Sequence, residues 1–409
     1  MDFLEHYLVY NSGNMVPKRY HIWSALSNLA MTMGRRIYVD QEYFRIHVPM
    51  YITLVGRQGL RKTTAKDLAK EMFIDVFPDY PLGASVMSRE KIVERLSSDE
   101  YLRVYTDEQE VQQSYKPLAF FVNELKNFMS INPGGMVEFL TDIYDTKAFA
   151  ADTIKHGLQP IINPCINILA CETPKWLIEK LQLNIIAGGF SRRMLYIYEI
   201  ERPQRITFPK KSPASFESEI WCKNHLKRIV NLSGPFRWAD QAARDYFDKW
   251  FTMLPNQEDE VLEGFYEAKD VLALKVAMLL AVAQPEPKLE LTVPLLTKAI
   301  GVLENIEDNL PKLSMAVGRN ELALPQQRLI EMLEAKNGWM TEKALSIAID
   351  KDLNPSEQFS TLRHLKTQGR IFVEKVKFPS GVERMMVMTH AKYTDWAKNG
   401  NITKEEPPK

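Results

Sequence analysis

The stretch Met50-Tyr51-Ile52-Thr53-Leu54-Val55-Gly56-Arg57-Gln58-Gly59-Leu60-Arg61-Lys62-Thr63-Thr64 constrains this chain more than any other. Its opening run is apolar and β-branched, the pattern of a buried strand. Gly56 breaks that run, a turn with a second glycine follows, and from Lys62 to about Val76 the residues favour helix. Strand, tight glycine turn and helix N-terminus in that order make a phosphate cradle. Loop N–H groups and the positive end of the helix dipole converge there on one anion. Lys62 would reach the β- and γ-phosphates and the Thr63 hydroxyl would ligate Mg²⁺, with Gly56, Gly59, Arg61 and Thr64 completing the cradle. Arg61 stands where the pattern G-x-x-x-x-G-K-[ST] has its last glycine. Either the backbone there is not left-handed, or Arg61 is strained. A plain strand–turn–helix junction whose glycines serve only the turn is the weaker alternative.

Leu118-Ala119-Phe120-Phe121-Val122 is a second apolar strand, and it ends in Asn123-Glu124. Polar residues at the C-terminal ends of parallel strands stand where such sheets bind ligands. Phosphoryl hydrolysis needs Mg²⁺ near the γ-phosphate and a polar group to orient the attacking water. Glu124 suits the second task, and Asn123, where an aspartate is more usual, would reach Mg²⁺ weakly or through water. A third strand, Ile166–Cys171, ends in Glu172-Thr173-Pro174, which brings Thr173 near the γ-phosphate or its water. Gly188-Gly189-Phe190-Ser191-Arg192-Arg193 then delivers paired arginines to the strand Met194–Tyr198. An arginine supplied in trans would neutralise transition-state charge on a neighbour's nucleotide; an ordinary solvated pair has the same spacing.

Around this core the periodicities predict further pieces. Residues 1–48 read as a lid: a helix over Pro17–Met33, stopped at Gly34, then a hairpin from Arg35–Val39 and Phe44–Val48. Its aromatics read as core, with Tyr20 or Trp23 stacked on a base as the alternative. Within the core, residues 49–210, Ser88 caps a helix, Ser98–Lys116 is strongly polar, and Phe149–Ile162 has β character with Lys155-His156-Gly157 as its turn. A Pro-, Lys- and Arg-rich linker leads into residues 211–320, mostly amphipathic helix with no catalytic constellation. Residues 321–392 carry three helices, Gln326–Ala335, Thr341–Ile349 and Pro355–Gln368, then strands Ile371–Lys377 and Glu383–Met388. That order describes a winged helix-turn-helix whose third helix would offer Arg363 and Lys366 to a groove. Ten Lys/Arg against eight Asp/Glu over Pro325–Met388 leave it only slightly basic, so DNA contact and protein contact stay equally open. Residues 393–409 read as a polar tail.

Length and composition set the outer bounds. At 409 residues, two or three domains are expected. Lys+Arg and Asp+Glu are both 52, so a nucleic-acid contact must come from a local patch and not the whole surface. Three cysteines, Cys165, Cys171 and Cys222, lack metal spacing and suit a reducing compartment. Met-Asp-Phe-Leu-Glu-His does not read as a secretory leader, and the longest apolar run, Val271–Val282, is interrupted by Lys275. A cytoplasmic location without membrane contact is the expectation.

The ordered set of these pieces resembles a family of P-loop ATPases of phages and mobile elements. Its members look like hexameric replicative helicases of the AAA+ kind and often accompany primase–polymerase domains. The likeness covers roughly residues 15 to 210. It rests on Tyr20–Leu26 with Gly34-Arg35-Arg36, Leu54–Thr64, Phe121–Leu125, Asn163–Leu177 and Gly188–Arg193. The resemblance implies an α/β fold with a mostly parallel, AAA+/RecA-like sheet, ATP and Mg²⁺ as ligands, and a homo-oligomer, expected as a hexamer. It implies that Arg192 or Arg193 is the arginine finger, and that Lys155 and His156 touch the phosphates of single-stranded DNA in a central pore. A separate primase would be a partner. The leading expectation is an ATP-driven motor on single-stranded DNA. A nucleotide-switched loader or regulator with little unwinding is the alternative, and a metabolic P-loop kinase fits the winged helix poorly.

Overall fold

The computed structural model describes the chain apart from residues 145, 154–156, 175, 178–188, 191, 202–204, 255–259, 308–325, 327–328, 350–354, 400–402 and 404–409. The fold is α/β with mixed sheets, and it divides into two compact units, Met1–Met315 and Ala316–Lys409.

The first unit is built on a five-stranded sheet. Strand β3 (Tyr51–Gly56) lies between β8 (Pro164–Glu172) and β9 (Met194–Glu199), parallel to both. On the far side of β8 runs β5 (Gln112–Val122), also parallel, and β4 (Arg103–Thr106) closes that edge antiparallel. Every residue of β3 and β8 is buried, as a sheet covered on both faces requires. Helix α2 (Lys18–Met33) is buried nearly all round. It is pinned to the helix after β3, α3 (Lys62–Val76), by the Asn28 side-chain amide donating to Ala69 O at 3.0 Å. The Met50 amide donates to Asn167 Oδ1 at 3.0 Å, which sets the stagger of β3 against β8.

The structure adds elements that the residue pattern left unassigned. In the polar stretch from Ser98, β4 and the start of β5 form a hairpin, because an edge pair can leave alternate residues in water. The amphipathic helices of residues 211–320 are joined by two short strands, β10 (Gly234–Trp238) and β11 (Glu290–Leu291). These pair with the hairpin β1 (Ile37–Asp40) and β2 (Arg45–His47) into a four-stranded sheet. The hairpin of segment 1–48 therefore shares a sheet with residues 234–291 inside one unit, while its helix α2 packs against α3. The ribbon β6 (Ala148–Thr153) and β7 (Gly157–Ile162) forms over the expected stretch.

In the second unit, strands β12 (Trp339–Thr341), β13 (Ile371–Lys377) and β14 (Glu383–Thr389) make a sheet ordered β12-β14-β13, all antiparallel. Leu329, Leu333, Leu345 and Leu365, from the segments preceding the hairpin, pack on Ile371 and Val387 of one face. The other face holds Val376, Met386 and Met388, and is covered by Tyr393 and Trp396 of the helix His390–Lys398. Tyr393 stacks on Phe372 with centroids 3.9 Å apart. The expected tail thus begins as a helix that buries a face otherwise left open to water. Among the described residues, no helix is long and apolar enough to cross a membrane.

Candidate active site

Gly56, Gly59 and Lys62 lie where β3 gives way to α3. The strand's last carbonyl but one, Val55 O, accepts the buried Tyr20 hydroxyl at 2.6 Å. A Cβ on Gly56 would stand 2.4 Å from that hydroxyl oxygen and 2.8 Å from Leu60 Cδ1, so only glycine fits. Gly59 has φ +86°, which L side chains rarely adopt. Arg61 is left-handed at φ 58°, ψ 27°, and α3 starts after it with no side chain capping its first turn. The question of Arg61 is thereby answered: the position is a glycine-type one, held by a residue with a Cβ. Thr63 is exposed and Thr64 half-buried on that first turn, whose N–H groups carry the positive end of the dipole.

A left-handed non-glycine residue costs about 1–2 kcal/mol, part of which glycine gives back as chain entropy. Arg61→Gly is therefore expected to stabilise the first unit by about 0.5–1 kcal/mol, a rise of about 1 °C in melting temperature. Thermal or urea unfolding measures it. An unchanged or lowered midpoint would mean that the guanidinium contributes more than the backbone strain removes.

Lys62 is buried, and its ammonium donates to Gly56 O at 2.5 Å and Arg57 O at 3.0 Å, both carbonyls of the loop itself. Burial lowers its pKa, opposed by Cys171, Glu172 and Glu124 nearby. Two strand tips supply those carboxylates. Glu124 follows β5 at the N-cap of the short helix Leu125–Phe128, and is exposed. Its Oε2 lies 3.0 Å from Lys126 Nζ and accepts from Asn127 Nδ2 at 3.2 Å. Asn123 beside it is exposed.

Glu172, which the residue pattern alone did not single out, is the last residue of β8 and is 2% exposed. It pairs in register with Val55, so it flanks the loop directly. Its Oε1 accepts from Thr173 N at 2.7 Å and Thr173 Oγ1 at 3.2 Å, while Oε2 accepts from Lys126 N at 2.9 Å. The expected hydroxyl of Thr173 is thus engaged with Glu172. A buried carboxylate satisfied by backbone amides beside a lysine is a signal that only sheet register reveals.

The remaining expected residues fall elsewhere. Arg192 and Arg193 precede Met194, which pairs with Tyr51 at the opposite end of β3 from the loop. Arg192 reaches Glu267 at 3.4 Å, and Arg193 Nη1 donates to Gly189 O at 2.6 Å. The chain does not bring either to its own Lys62. Tyr20 and Trp23 are at most 1% exposed and are core, not a base platform. Lys155 and His156 lie outside the described residues. Arg363 and Lys366 are exposed on the helix Pro355–Thr367 of the second unit. Among the described residues, no group of three or more His, Cys, Asp or Glu could hold a metal ion. Compared with known proteins, the chain matches no family model and no curated sequence.

Proposed function

We propose that this chain is an ATP-hydrolysing motor that acts on single-stranded DNA as a homo-oligomer, with residues 49–210 as its P-loop core. One observation carries the reading: a buried lysine ammonium held by loop carbonyls, beside two strand-tip carboxylates, at a glycine turn that opens a helix. An incoming triphosphate offers that ammonium better acceptors than the two carbonyls. The uncapped first turn of α3 offers N–H groups to the same anion.

The chemistry assigned to the chain's own residues follows. Lys62 turns from Gly56 O and Arg57 O to the phosphate oxygens. Glu124 orients the attacking water and accepts its proton. The donor set suits Mg²⁺ brought with the nucleotide: the Thr63 hydroxyl and, through water, the Asn123 amide are hard oxygen donors that would hold the ion, which would supply charge neutralisation at the phosphates. Arg192 or Arg193 serves the nucleotide of a second copy, since each stands at the wrong end of β3 for its own. The second unit reads as a winged helix, with the exposed Arg363 and Lys366 as DNA contacts. The cytoplasm is the proposed location.

The test is the ATPase rate with and without single-stranded DNA, together with solution mass in the presence of an ATP analogue. Turnover stimulated by DNA and a mass that is a multiple of the chain's are expected. Slow turnover insensitive to DNA, with tight ATP-dependent DNA binding, would favour the loader or regulator instead. Failure to bind ATP with Mg²⁺ would remove both.

A further inference from the structure

We infer that Glu172 is a positioning residue for Glu124, a role that rests on the ATPase reading above. The two carboxylates sit on tips of adjacent parallel strands, since Ala170 of β8 pairs with Val122 of β5. They are joined by one residue. Lys126 gives its backbone N–H to Glu172 Oε2 at 2.9 Å and its ammonium to Glu124 Oε2 at 3.0 Å. The turn that carries Glu124 is therefore anchored, at the second residue after it, to the strand that lies against the loop strand.

The anchor is rigid on its own side as well. With Oε1 taken by the amide and hydroxyl of Thr173, neither oxygen of Glu172 is left to rotate away. At 2% exposure the carboxylate has little water to compete for it. A charged acceptor for a backbone N–H also gives a stronger bond than a neutral one. Glu172 thus fixes where Glu124 begins, while β8 fixes how far Glu124 stands from Lys62.

This bonding is sensitive to a single atom. Both oxygens of Glu172 accept from donors, so glutamine, isosteric but with one oxygen and one NH₂, must turn an N–H toward another N–H. One of the two anchors is lost without a change in volume. Displacing a catalytic group by about 1 Å can cost about 100-fold in rate.

Glu172→Gln is the experiment, measured beside wild type and Glu124→Gln. We expect kcat to fall about 10- to 100-fold, with ATP affinity within about threefold, because the Glu172 hydrogen bonds go to Thr173 and Lys126 and not to the Lys62 loop. Hydrogen exchange at the Lys126 amide should quicken, a readout that does not depend on activity. In the variant carrying both changes, residual turnover should be no lower than with Glu124→Gln alone, since Glu172 acts through Glu124; a general loss of structure would lower it further. Unchanged kcat, parallel loss of affinity and kcat, or an unaltered Lys126 amide would each overturn the role. If Glu172→Gln does not fold, Glu172→Asp, one methylene short of Lys126 N, is read by the same criteria. Wild type without turnover would instead overturn the ATPase reading itself.

Discussion

Lys62→Ala is expected to abolish ATP binding while leaving the fold intact. The ammonium makes no ion pair among the described residues; it rests on Gly56 O and Arg57 O, two neutral acceptors at the rim of the loop. Hydrogen bonds to charged groups contribute roughly 1.5–3 kcal/mol each, so losing two or more at the phosphates weakens affinity by at least about 100-fold. The cost to stability is local. Arg57 O lies on an exposed stretch, Arg57–Gly59, that water reaches, so the cost falls mainly on the buried Gly56 O, about 1–3 kcal/mol. Lys62→Arg should not rescue binding: a planar guanidinium is wider than an ammonium and needs a forked acceptor that the two loop carbonyls do not provide. Titration of a fluorescent ATP analogue with Mg²⁺, paired with a melting curve, measures both. Affinity within threefold of wild type at unchanged melting temperature would show that the loop does not hold a triphosphate.

What could be read from the residues alone was local. The strand Tyr51–Gly56, the helix Lys62–Val76 and the glycines between them depend on neighbours within a few positions, and the structure has them at the expected bounds. Ser88 donates no surprise either: its hydroxyl accepts the Lys91 amide at 3.3 Å, as an N-cap does. The helix Phe3–Tyr10 also has a local start signal, the Asp2/Glu5 capping box.

The site itself was only half legible. Lys62 and Glu124 are marked by their own strand ends, but Glu172 owes its place to β8 lying between β3 and β5, and strand order is a long-range property. The bonding partner of its carboxylate, Lys126 N, is 46 residues away. The same limit hid β10 and β11, short strands whose partners lie in the first 50 residues or beyond three helices. Helix His390–Lys398 is not legible locally, because Tyr393 and Trp396 mark its apolar side and their spacing means little until the open face of β13 and β14 is known.

Glu124→Gln is expected to keep ATP binding and stop turnover. Neighbouring strands lie about 4.8 Å apart, so with β8 intervening the tip of β5 stands about 10 Å from that of β3. That gap has room for a γ-phosphate seated on the loop and one water between it and Glu124. A carboxylate there can both orient the water and take its proton; an amide of the same shape can do only the first. Proton transfer of this kind contributes about 10²–10⁴-fold, which is the expected fall in kcat. Affinity should hold, because Glu124 touches neither Lys62 nor the first turn of α3, and pairs instead with Lys126 and Asn127. Glutamine can still accept from Asn127 Nδ2, so the turn keeps that contact and the loss is read as chemistry. Single-turnover hydrolysis with pre-bound ATP separates the two steps. Near wild-type hydrolysis would transfer the base to another group, and Glu172, which also acts on Lys62, would be the first to test.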